Sequence, residues 1–78
     1  MTDDVVAFSI CSSRLPRKEL CNSRETAMGL LDANIKRAQQ AGGSAGMLDS
    51  GRWELHFPNQ SMVLNWVEDS NGDVQRFP

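Results

Sequence analysis

Arg52-Trp53-Glu54-Leu55-His56-Phe57 alternates polar and apolar residues without a fault. After Pro58-Asn59-Gln60-Ser61 the chain resumes as Met62-Val63-Leu64-Asn65-Trp66-Val67. Beyond Ser70-Asn71-Gly72-Asp73 it resumes again as Val74-Gln75-Arg76-Phe77. A period of two sends successive side chains to opposite faces of a strand, and Asn-Gly is a strong hairpin signal. The three runs predict an antiparallel meander with an apolar face that needs a cover.

The cover lies upstream. From about Ser23 to Ala41, at 100° per residue, Ala27, Met28, Leu31, Ile35 and Ala38 form one stripe, with Asn34 beside it and Leu30 at its margin. Glu25, Gly29, Asp32, Lys36 and Gln40 lie opposite, and Asp32 precedes Lys36 by four, the favourable order for an ion pair. Asn22 followed by Glu25 has the spacing of a capping box. Gly42-Gly43 ends the helix, and residues 42–46 read as a short flexible link before a minor strand at Met47-Leu48.

Two stretches precede the helix. Asp4 to Cys11 reads as an interior strand, since Val6, Phe8 and Ile10 share one face while Val5, Ala7 and Cys11 occupy the other. Ser12 to Asn22 reads as a connector, in which Pro16 opens a single helical turn reaching Cys21. The expected fold is therefore α+β: a single domain, 1–78, with an antiparallel sheet made of an N-terminal strand plus a C-terminal meander, and one long α-helix packed on one face. Its expected core is Phe8, Met28, Leu31, Ile35, Trp53, Leu55, Leu64 and Trp66.

One helix cannot cover both faces of such a sheet. With Trp53, Leu55, Phe57, Met62, Leu64 and Trp66 toward the helix, the second face would carry Arg52, Glu54, His56, Val63, Asn65 and Val67. That face is either solvated or occupied by a partner or a second copy.

A formal net charge of −2 hides an asymmetry. Residues 14–37 hold six basic side chains against three acidic ones, whereas residues 38–78 hold two against five. Such a bipolar molecule can steer a charged partner, yet it lacks the basic excess of a general nucleic-acid binder. No apolar run approaches the ~20 residues of a membrane span, and the acidic Met1-Thr2-Asp3-Asp4 start is unlike a signal peptide. The expected compartment is the cytoplasm, with Cys11 and Cys21 reduced.

No catalytic constellation assembles from these residues. His56 is the single histidine and reads as a solvent-facing strand residue. Cys11, Cys21 and His56 lack the spacing of zinc ligands. Gly42-Gly43-Ser44-Ala45-Gly46 follows a helix, whereas a phosphate-binding loop precedes one. An enzyme, a metal site and a cofactor are accordingly not expected.

The expected function is that of a small non-enzymatic protein that binds another protein, as an inhibitor, adaptor or regulator. Chains of this size without active-site chemistry are frequent among phage and mobile-element products that blunt a host machine. The candidate partner-binding residues are Arg14, Arg17, Lys18 and Arg24 in the basic segment, with His56, Val63 and Val67 on the uncovered sheet face. Two alternatives are a nucleic-acid-binding regulator using the basic 14–24 segment and a homodimeric structural or accessory subunit. No membrane partner is expected.

Overall fold

A computed structural model describes residues 7–76. Their elements are β1 (Phe8–Ser12), β2 (Leu15–Cys21), α1 (Arg24–Gln40), β3 (Ser44–Met47), β4 (Trp53–His56), β5 (Val63–Asp69) and β6 (Val74–Gln75). Every strand pairing is antiparallel, in the order β2-β1-β5-β4-β3, with β6 also paired to β5. The helix packs on one face of this sheet, so the α+β architecture is the one the alternation and the helical stripe called for. Val5 and Val6 at one end, and Phe77 at the other, lie outside the described residues.

The helix buries Ala27, Met28, Leu31, Ile35 and Ala38, the stripe read from the sequence. Its start differs by one residue. Ser23 is the cap: its backbone is extended, and its Oγ accepts the Thr26 amide at 3.2 Å, a contact worth about 1 kcal/mol. Glu25 sits in the first turn, where it complements the positive end of the helix dipole, and does not close a box with Asn22. At the far end the Gly42 and Gly43 amides donate to the carbonyls of Gln39 and Ala38, and Lys36 pairs with Asp32 at 2.9 Å.

Two expected loops are strands. The segment expected to be a connector with a helical turn is β2, the edge strand, joined to β1 through Ser13-Arg14. Proline is tolerated there because β2 bulges: one residue of β1 separates Ile10 from Ser12, while three residues of β2 separate their partners Glu19 and Leu15. Likewise the glycine-rich link is β3, from Ser44 to Met47, and it forms the opposite edge. The loops after β3 and β5 share one design: the Leu48 amide donates to the Arg52 carbonyl and the Asp69 amide to the Asp73 carbonyl, each pair closing three residues that end in a glycine with φ near +90°, Gly51 and Gly72.

The largest departure concerns β5. Leu55 pairs with Val63 and Trp53 with Asn65, so Val63, Asn65 and Val67 turn toward the helix, and Leu64 and Trp66 turn away. A one-residue change of phase moves every side chain of a strand to the other face. Alternation could not choose between the phases, because both carry large apolar residues. Two polar contacts accompany the observed one. Asn34 on the helix donates to Asn65 Oδ1 at 2.8 Å, and on the far face the Trp66 indole N–H reaches Glu68 at 2.9 Å. Buried polar groups need such partners, and here both faces of the sheet supply them. The core consequently holds Ile10, Ala27, Met28, Leu31, Ile35, Ala38, Leu55 and Val67, with Phe8, Trp53 and Phe57 packed against it.

Candidate binding site

The helix crosses the sheet along a diagonal. It starts where β2 ends, and Arg24 Nη2 donates to the Arg76 carbonyl beyond β6 at 2.9 Å. It finishes over the end of β4, where Gly43 lies against the His56 carbonyl. A diagonal cover leaves a corner of the sheet bare, the one formed by the β1–β2 turn and the start of β5. A cleft of about 300 Å³ occupies that corner.

Its walls come from both layers. Leu30, Asn34 and Arg37, spaced four and three apart, line the exposed flank of α1. Leu15 and Glu19 supply the β2 side, and Phe57 and Val63 close the end. The Asn34–Asn65 hydrogen bond lies among these walls. Leu15 is 63% exposed and Leu30 36%, so both offer apolar surface to whatever enters. Arg14 is held at the rim. The neighbouring Ser13 donates its amide to the Leu64 carbonyl and accepts the Leu64 amide on Oγ, both at 2.8 Å, and Arg14 Nη1 reaches Gln60 Oε1 at 2.9 Å. The corner thus combines apolar contact with guanidinium donors.

Of the seven residues singled out from sequence, Arg14 reaches this cleft as an exposed group. The side chain of Arg17 lies outside the described residues. Lys18 is on the opposite face, in an ion pair with Glu68. Arg24 sits at the far end of β2, a strand of seven residues and so on the order of 20 Å away. The basic segment is therefore dispersed, because an extended strand spreads residues that a compact loop would have gathered. His56 is exposed at the end of β4, with Nε2 3.3 Å from a Glu54 carboxylate oxygen two residues back on the same face.

Val63 and Val67 require correction. The alternation of β5 predicts both on an uncovered face, and both are buried on the helix side: Val67 is fully enclosed, and Val63 contributes to the cleft wall. They offer no exposed area to a partner on the far face.

The centre of that far face is covered by its own long side chains, while Leu20 at its β2 edge is 75% exposed. The Arg52 guanidinium sits 4.8 Å from the centre of the Trp66 ring, and Lys18 lies across to Glu68. Long basic side chains cover apolar surface with their stems while their charged heads meet water or a partner. Cys11, Ser9 and Glu68 are buried in consequence. Burial, aided by the Glu68 carboxylate, pushes the Cys11 thiol up to about 11, which keeps it protonated at neutral pH. Cys21 faces the other side of the sheet, packed against the core, and both cysteines are free thiols.

The hydrogen bond from Lys18, with a smaller contribution from Trp66, holds the Glu68 carboxyl below its ordinary value against the opposing effect of burial. A depressed carboxyl stabilises the fold above its unfolded pKa, and that contribution is lost as pH falls through the folded value. The wild-type chain should therefore lose more stability than Glu68→Gln between about pH 5 and pH 3, the range in which carboxylates titrate. Urea unfolding at each pH measures this. Parallel curves for the two proteins would show that Glu68 gives the fold no acid sensitivity.

The cleft residues that sequence reading passed over are Leu15, Leu30, Arg37 and Phe57, with the Asn34–Asn65 pair. A trace of them was present: Leu30 at the margin of the helical stripe, Asn34 beside it, and a leucine in an otherwise charged stretch. Among the described residues no helix is long and apolar enough to cross a membrane. No protein-family model, no curated protein and no solved structure matches this chain.

Proposed function

We propose that this chain is a small non-enzymatic protein that binds another protein, taking a projecting segment of its partner into the corner cleft beside α1 and acting thereby as an inhibitor or regulator. The observation that carries the reading is the cleft itself, a concavity in which two part-exposed leucines are flanked by two arginines. Concave apolar surface with a few convergent polar groups is what recognition sites offer. The far face of the sheet suits a partner less well, since Arg52 and Lys18 already cover its centre. The dispersal of the basic segment, and the pairing of Lys18 with Glu68, also weigh against a phosphate-tracking surface, which needs clustered cations.

A site-specific photo-crosslinker tests the reading. Placed at position 30 it should capture a discrete protein from lysate of the source cell, and placed at position 56, outside the cleft, it should not. The captured protein should then bind the purified chain directly, and Leu15→Asp should abolish that binding while the fold stays intact by circular dichroism. Equal capture from both positions, or unchanged binding by a folded Leu15→Asp variant, would reject the cleft as the site.

A further inference from the structure

We infer that the segment received by the cleft is acidic: one aliphatic or aromatic side chain entering between Leu15, Leu30 and Phe57, with a carboxylate close by in sequence to meet Arg14 and Arg37. This inference rests on the preceding reading of the cleft as a protein-binding site and adds the chemistry of its occupant.

Charge complementarity carries it. The ion pairs among the described residues are Lys18–Glu68, Lys36–Asp32 and His56–Glu54. Neither cleft arginine belongs to one. Arg14 gives one N–H to the neutral Gln60 amide, and a guanidinium has five donors in a planar fork matched to a carboxylate. Arg37 occupies the last turn of α1, one position beyond the lysine already neutralised by Asp32. Both guanidinium groups are exposed at the mouth of an apolar hollow. An apolar anchor alone would leave them without a counter-charge, whereas an adjacent Asp or Glu provides one.

Size points the same way. About 300 Å³ is the small end of the range for ligand pockets, enough for one large side chain rather than a cofactor-sized molecule. Glu19, the one carboxylate on the wall, is on the β2 side and disfavours an incoming anion there. Its removal should therefore help an acidic segment and hinder a basic one.

The experiment titrates isotope-labelled protein with three synthetic hexapeptides, followed by two-dimensional NMR. The probes are Glu-Asp-Leu-Phe-Asp-Glu, Lys-Lys-Leu-Phe-Lys-Lys and Glu-Asp-Gly-Ser-Asp-Glu, all with blocked ends. The side-chain amide signals of Asn34 and Asn65 report directly on the cleft. The acidic apolar peptide should move them with at least about tenfold tighter binding than either control. Its affinity should fall as salt rises, because exposed pairs are screened. Arg14→Glu with Arg37→Glu should invert the order of the two apolar peptides, and Glu19→Gln should tighten the acidic one.

If the double variant fails to fold, Arg37→Gln alone, in an exposed last turn, should weaken the acidic peptide about fivefold, the scale of an exposed ion pair. Cleft signals that move equally for the basic apolar peptide, or a charge-reversed variant that still prefers acid, would overturn the acidic occupant while leaving the cleft as a peptide site. Cleft signals that move for none of the three would overturn both readings.

Discussion

Gly43→Ala is expected to cost about 3 kcal/mol or more, at the upper end of what an inserted methyl group does to a packed interior. A Cβ on Gly43 would lie 1.7 Å from the His56 carbonyl oxygen and 3.2 Å from that of Ala38. Both neighbours are backbone, so no side chain can rotate out of the way. Relief would require the end of α1 to lift from β4, which also threatens the Gly43 amide bond to the Ala38 carbonyl and the β3–β4 pairing that begins at Ser44 and His56. Domains of this length have a total stability of roughly 4–12 kcal/mol, so the loss is a large share of what holds the fold. Urea unfolding measures it, with Gly46→Ala as the control. Gly46 is on β3, the edge strand that Gly43 leads into, with nothing within 4 Å of its added Cβ, and its change should be nearly neutral. Equal stability of the two variants would mean that the helix end does not sit on β4 as described.

Leu31→Ala should be comparably damaging, at 2–5 kcal/mol. Leu31 is fully buried at the middle of the helical stripe, with Ala27, Met28, Ile35 and Ala38 around it on α1 and Ile10, Leu55 and Val67 in the same cluster below. Truncation removes its transfer energy and leaves a cavity that a sheet paired on both sides of β5 cannot collapse to fill. For a domain of this length each kcal/mol lowers the melting temperature by about 4–8 °C, so a drop of roughly 10 °C or more is expected. Leu30→Ala, one residue away on the cleft flank, should shift it by only a few degrees. The contrast matters for function. Leu31 is expected to move stability, whereas Leu30 is expected to move partner binding with the fold preserved. A melting temperature lowered equally by both would place Leu30 in the core and remove it from the proposed site.

The proposal for the site and the corrections to β2 and β5 are connected. With Ser12–Asn22 as a connector, the basic residues would have formed one mobile cluster. As an edge strand they are fixed in alternation, which sends Lys18 to the far face and places Leu15 and Glu19 on the cleft side. With β5 in its observed phase, Asn65 meets Asn34 beside the cleft, and Trp66 leaves the core to be covered by Arg52.

Sequence alone determined the elements whose signal is local and periodic. The helix was legible because five apolar positions recur at its period between a polar start and a double glycine, and backbone hydrogen bonding within the helix needs no distant partner. The turn at Ser70-Asn71-Gly72 was legible because few residues take the conformation it requires. Tertiary structure alone decided what depends on pairing. The phase of β5 was open because Met62, Leu64 and Trp66 are as apolar as Val63 and Val67, and only the register with Leu55 and Ile10 selects between them. The strand character of β2 and β3 comes from neighbours that supply hydrogen-bond partners, in one case to a bulged, proline-bearing edge and in the other to a run with two glycines. The cleft was the least legible of all. Leu15, Leu30, Arg37 and Phe57 come from β2, α1 and the loop after β4, and they converge only because one helix lies diagonally across a sheet too wide for it to cover.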